Sequence, residues 1–209
     1  MNVYQDLFVF LKNPDQKKDK ESDFKDKIIQ FIVLFITCFV ISIFLSIIIS
    51  IVYATGLIEN DYHAFEEIKD RKPIQIFFIA AIAAPIVEEL IFRGPLTIFK
   101  SPWKLYRKSE ETGEKVLTDV RIPIFENPKV FKVIFYLSAL LFGYVHLFNY
   151  QIDTQILIFS PILVAPQFIL GLIFGYIRIR FGLLWSIAIH SLYNGFLVSL
   201  FIISKNAIQ

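Results

Sequence analysis

The stretch "AAPIVEELIFRGPL", residues 83–96, decides the fold. It places Glu88, Glu89 and Arg93 inside a run from Ile74 to Phe99 whose only other polar side chains are Gln75 and Thr97. About 20 apolar residues in a helix cross the ~30 Å hydrocarbon core of a bilayer, so this run is long enough to span. A charged residue at its centre costs at least ~2.5–3.5 kcal/mol on insertion scales. Three such residues within six positions must be satisfied inside a protein interior, and intramembrane ionisable groups usually mark function.

The whole chain agrees with a membrane setting. Of its 209 residues, 56% are apolar, 16% aromatic and only 19% charged, which is too oily for an ordinary soluble domain. Four further runs reach spanning length: Ile28–Tyr53, Val130–Phe148, Ile156–Ile177 and Phe181–Ile203. The expected fold is therefore all-α, a polytopic membrane bundle of about five helices with its active site in the bundle core. Pro161 and Pro166 interrupt the fourth run, leaving either one broken span or a short interfacial piece and a shortened helix. The first run is too long for a signal-peptide core and reads as an anchor that stays.

Basic residues orient the bundle. Fifteen Lys or Arg lie before the first run, between residues 100 and 129, or at Arg178 and Arg180, against four in the intervening segments and the tail. The positive-inside rule places the amino terminus in the cytoplasm. The organisation is a cytoplasmic leader, 1–27, and a single membrane domain, 28–203, with its motif core at 74–203 and a cytoplasmic loop at 100–129. Residues 2–12 form either a surface amphipathic helix or a loose tail, and Gly113 sits in a polar turn that permits a hairpin. The net charge of +2 gives no support to nucleic-acid binding, and the single Cys38 cannot form an internal disulfide.

Helical spacing distributes tasks among the buried polar groups. Glu89 and Arg93 are four apart and pair on one face, whereas Glu88 is turned ~100° away and is left without a local cation. Pro85 and Pro95 remove the amides that would bond the carbonyls of Ala81 and Ile91. Of three histidines, His146 and His190 lie in spans, while His63 sits in an acidic loop and takes no role. Asn194 follows His190 by four residues, and Phe142 precedes His146 by four, where it packs against the imidazole. Glu88, His146, His190 and Asn194 can converge from three spans near mid-membrane, as a set able to activate water and stabilise an oxyanion.

Three motifs in this order, Glu-Glu-x-x-x-Arg (Glu88, Glu89, Arg93), Phe-x-x-x-His (Phe142, His146) and His-x-x-x-Asn (His190, Asn194), carry a resemblance. The chain resembles the CAAX protease and bacteriocin-processing (CPBP, or Abi) family of intramembrane endopeptidases. The resemblance implies that Glu88 and His146 hold and deprotonate the attacking water, that His190 and Asn194 polarise the scissile carbonyl, and that Glu89 and Arg93 give support. It implies no certain cofactor; the alternative is catalytic zinc on Glu88, His146 and His190. The implied partners are membrane lipid and a membrane-associated or lipidated peptide or protein, in a bacterial plasma membrane. Two other functions remain open. One is a non-proteolytic scaffold or bacteriocin-immunity factor of the same fold. The other is an ion- or proton-coupled transporter, against which stands the near absence of polar residues in the first and fourth runs.

Overall fold

In the computed structural model, which describes residues 2–19, 21–58, 70–98, 103–108, 115–120 and 127–208, five helices are long and apolar enough to cross a membrane. The bundle is the one expected from composition. A leader helix, α1 (Val3–Lys12), precedes the first span, α2 (Phe24–Ala54). The second span, Pro73–Thr97, is not one regular helix. It runs as α3 (Pro73–Phe77), a π-helical segment (Phe78–Ala83), α4 (Ala84–Glu88), a second π segment (Glu89–Arg93) and α5 (Pro95–Ile98). The third span is α6 (Pro128–Val145) with a 3₁₀ turn (His146–Asn149). The fourth is broken at Val164 into α7 (Thr154–Leu163) and α8 (Ala165–Arg180), and the fifth is α9 (Leu183–Ile208).

The basic loop contributes β1 (Trp103–Lys108) and β2 (Lys115–Val120), paired antiparallel with Trp103 opposite Val120 and Lys108 opposite Lys115. These strands are a small addition to an otherwise helical fold and are paired as the permitted hairpin requires; its turn at Gly113 lies outside the described residues. His63 lies outside the described residues.

Packing centres on α8, which lies along α6 and also meets α2, α9 and α1. Gly171 permits the close approach. A Cβ there would stand 3.2 Å from the Ala139 Cα and 3.2 Å from Arg93 Nη2. Gly182, at φ +116°, makes the tight reversal from α8 into α9 that a side chain would strain. Phe135, Phe142, Phe174 and Tyr176 fill the space between these helices and are almost wholly buried.

The leader is neither a loose tail nor a helix lying on lipid alone. Asn2 caps α1, accepting from the Tyr4 amide, while Gln5 returns to the Asn2 amide. Its apolar face, Val3, Leu7 and Phe10, packs into the main core. Arg180 then clamps it. The guanidinium donates to Asp6 Oδ2 at 3.1 Å, to Asp15 Oδ1 at 2.7 Å and to the Lys17 carbonyl at 2.6 Å, and lies 4.8 Å from the Phe10 ring centroid. Tyr176 adds a hydrogen bond to Asp6 at 2.7 Å.

Hydrogen bonds to charged groups contribute about 1.5–3 kcal/mol each, so Arg180→Ala should free the leader. Trypsin cleavage at Lys17 and Lys18 in detergent should then accelerate roughly tenfold or more. An unchanged rate would show that Phe10 and its apolar neighbours hold α1 without the clamp.

Candidate active site

Each of the two prolines follows a turn wound more widely than an α-helix. Because residues 78–83 are wound as a π-helix, the Ala84 amide donates to the Ile79 carbonyl, five residues back. The next donor in that register would be Pro85, which has none. In that register the Ala80 carbonyl is left open, and Asn194 Nδ2 donates to it at 3.1 Å. The same shift recurs at the second π turn, where the Gly94 amide reaches the Glu89 carbonyl at 2.9 Å. Pro95 follows directly and has no amide to continue the ladder. Downstream carbonyls are taken by side chains from other spans: Ser138 donates to Phe92 O, and Arg178 Nε to Arg93 O at 3.2 Å.

These irregular turns present both adjacent glutamates to one histidine. Glu89 Oε1 accepts from His190 Nδ1 at 3.0 Å, Glu89 Oε2 accepts from Ser186, and Arg93 Nη1 lies 3.5 Å from Glu89 Oε1. Glu89 and Arg93 are both fully buried. The Arg93 guanidinium carbon stands 3.8 Å from the Phe142 ring centroid and 5.7 Å from that of Phe174. Aromatic faces thus cover the cation where water would otherwise solvate it.

Glu88 is placed differently. Its Oε2 is 3.6 Å from His190 Nε2, the buried oxygen has no hydrogen-bond partner, and the side chain keeps 26% of its surface exposed. That surface faces a cavity of about 770 Å³, which His146, His190, Asn194 and Phe142 also line. Glu89 and Arg93 lie behind the wall and do not line it.

The hydrogen bonds fix the tautomers. His146 Nδ1 meets the Phe142 carbonyl at 2.8 Å, and a carbonyl only accepts, so Nδ1 carries the proton and Nε2 is the free basic nitrogen. His190 donates through Nδ1 to Glu89, which turns Nε2 toward Glu88 and the cavity. Phe142 sits at the centre of the rings. Its centroid is 4.9 Å from that of His146 and 5.6 Å from that of His190, and Phe174 stacks on His190 at 4.7 Å.

All seven residues singled out in the sequence therefore lie in or directly behind one cavity. Sequence reasoning missed Ser186, although Ser186, His190 and Asn194 recur every four residues on one face of α9. It also missed the first span's part in the site. Ser42, Ser46 and Ser50 recur every four residues along α2 and face the cavity, as does Gln167 of α8. The first and fourth spans are thus less bare of polar groups at the site than their composition implied.

Among the described residues, no three His, Cys, Asp or Glu side chains stand close enough to hold one metal ion. The zinc alternative on Glu88, His146 and His190 does not fit this placement, and no step below passes through a metal.

A membrane-embedded bundle with an interior carboxylate, two oriented imidazoles and an amide around one cavity has the build of an intramembrane hydrolytic enzyme. Residues 70–196 match the family model described as type II CAAX prenyl endopeptidase Rce1-like, and the chain belongs to this family of CAAX-type intramembrane proteases. The match covers the second, third and fourth spans and the first part of the fifth, and leaves out α1 and α2. No curated protein and no solved structure matches the chain.

Removing one partner of a buried ion pair costs about 3–5 kcal/mol, because the other charge is left uncompensated. Glu89→Gln should therefore lower the melting temperature in detergent markedly, by stranding Arg93. A melting temperature equal to that of the parent would contradict the pairing.

Proposed function

We propose that the chain is a glutamate-dependent intramembrane endopeptidase that cleaves a membrane-associated or lipidated peptide with an activated water. The observation that carries this reading is the division of labour between the adjacent glutamates. Glu89 is held by Arg93, Ser186 and His190, while Glu88 lines the cavity with a part-exposed side chain whose buried Oε2 makes no hydrogen bond among the described residues. A general base needs a carboxylate that is held in place yet free to accept a proton.

In this mechanism Glu88 takes a proton from a water that His146 Nε2 helps to orient, and the water oxygen bonds to the scissile carbonyl carbon. The carbonyl electron pair moves onto its oxygen. His190, as an imidazolium with Nδ1–H on Glu89, donates Nε2–H to that oxyanion. Asn194 adds its second amide hydrogen, the first being engaged by Ala80. The intermediate then collapses, the C–N bond breaks, and Glu88 returns its proton to the leaving amine. Phe142 and Phe174 hold the imidazoles, while Ser186 and Arg93 hold Glu89.

We place the chain in a bacterial plasma membrane with the amino terminus in the cytoplasm, an orientation that the basic leader supports. Peptide substrates, of the leader or bacteriocin-precursor kind, suit this setting.

The test is cleavage of a panel of lipidated and unlipidated peptides by the purified protein, with and without a zinc chelator. Glu88→Gln should reduce cleavage by at least about a hundredfold, the scale of general-base catalysis, with the melting temperature unchanged. Retained cleavage by this variant would remove the mechanism. Loss of parent activity on chelation would transfer Glu88, His146 and His190 to a zinc site. A folded parent protein that cleaves none of the peptides would favour the binding-only reading.

A further inference from the structure

The cavity is not symmetric about the catalytic layer. On α2 its lining runs from Ser42 to Tyr53, all in the half that ends at Ala54. On the second span it takes Ala80 and Ala84, which precede Glu88 and lie nearer the Pro73 end. On the third it takes Val145, Asn149 and Tyr150 beyond Phe142, and on α9 it takes Leu197 and Val198 beyond Asn194. These helix halves all point the same way. The farthest lining residues, Ile58, Asn149 and Tyr150, stand at or past the ends of their spans, so the cavity reaches that surface.

The opposite side is closed. Beneath His190 come the buried Glu89–Arg93 pair and Ser186, then Phe135, Phe174 and Tyr176, and finally α1, whose Phe10 is 1% exposed. The Arg180 clamp to Asp6 and Asp15 fastens this cover. By sequence, the segments that continue from the helix ends on the closed side hold fifteen of the chain's Lys and Arg residues, against four in the segments that continue from the ends on the open side. By the positive-inside rule the open side faces away from the cytoplasm.

Along α2 the accessible wall from Ser42 to Tyr53 is about 16 Å long, at ~1.5 Å per helical residue. An extended peptide covers that length in about five residues at ~3.3 Å each. Ser46 and Ser50 are exposed on this wall, and their hydroxyls both donate and accept, as peptide groups need. Both lie in α2, outside the stretch matched to the family.

We infer that the cavity takes in its substrate from the face opposite the leader, as an extended peptide segment laid along α2, so that the enzyme acts on an exported peptide. The inference rests on the proposed peptidase reading for the word substrate, but not for the direction of access.

Single-cysteine labelling of the full chain in its membrane tests it. Cys38 is fully buried, so the parent gives the blank. Lys18→Cys marks the leader face, and Ser46→Cys and Ser50→Cys mark the cavity wall. A membrane-impermeant maleimide should label Lys18→Cys only in inside-out vesicles, and Ser50→Cys and Ser46→Cys only in right-side-out vesicles. Labelling of the serine positions from the same face as Lys18→Cys would overturn the inference, as would no labelling from either face. Labelling of Lys18→Cys from outside would return the open face to the cytoplasm and overturn the exported substrate. The same pattern is expected when Glu88→Gln is added, so failure of cleavage and failure of access are read separately.

Discussion

A guanidinium with no access to water holds this structure together. Arg93 is buried completely among Phe92, Phe142 and Phe174, and Glu89, equally buried, is its counter-charge. The desolvation of such a pair is offset only when its remaining lone pairs and protons are used. Glu89 meets that condition on its own side by accepting from Ser186 and His190, whereas the Arg93 nitrogens make no hydrogen bond among the described residues and are covered by aromatic rings. The same carboxylate that balances Arg93 also sets the orientation of a cavity-lining imidazole. Stability and site geometry therefore depend on one side chain.

The second span is bent to make this possible. Its two π turns place Glu88 and Glu89 on either edge of the His190 ring, at 3.6 Å and 3.0 Å. Each turn is followed by a proline, and the freed or widened backbone is satisfied by Asn194, Ser138 and Arg178 from three other helices. Irregular backbone at this depth is tolerated only where protein or a polar cavity meets it. Here both conditions hold. Asn194 carries a double duty, closing the Ala80 carbonyl while keeping one amide hydrogen for the cavity.

Much of this was legible in the sequence, because a bilayer makes polar residues conspicuous. The five spans, the break in the fourth, the Glu89–Arg93 pairing and the gathering of Glu88, His146, His190 and Asn194 follow from length, spacing and hydropathy. What escaped had a weaker physical signal. A serine costs little in a membrane helix, so Ser186 and the row on α2 stand out only by their four-residue recurrence. The π register has no signature in composition, and without it the Ala80 carbonyl does not stand out as the partner of Asn194. The docking of the leader depends on Arg180 meeting Asp6 and Asp15, some 170 residues away in the chain. No local pattern encodes a contact of that range.

The central claim is that Glu88 acts on water and does not itself bond to the substrate. Single-turnover cleavage in ¹⁸O-labelled water, with enzyme in excess and mass analysis of both product and enzyme, tests it most directly. The account predicts one ¹⁸O in the new carboxylate of the product and none in the peptide bearing Glu88. Label incorporated into the Glu88 side chain would reveal an acyl-enzyme intermediate and contradict the account.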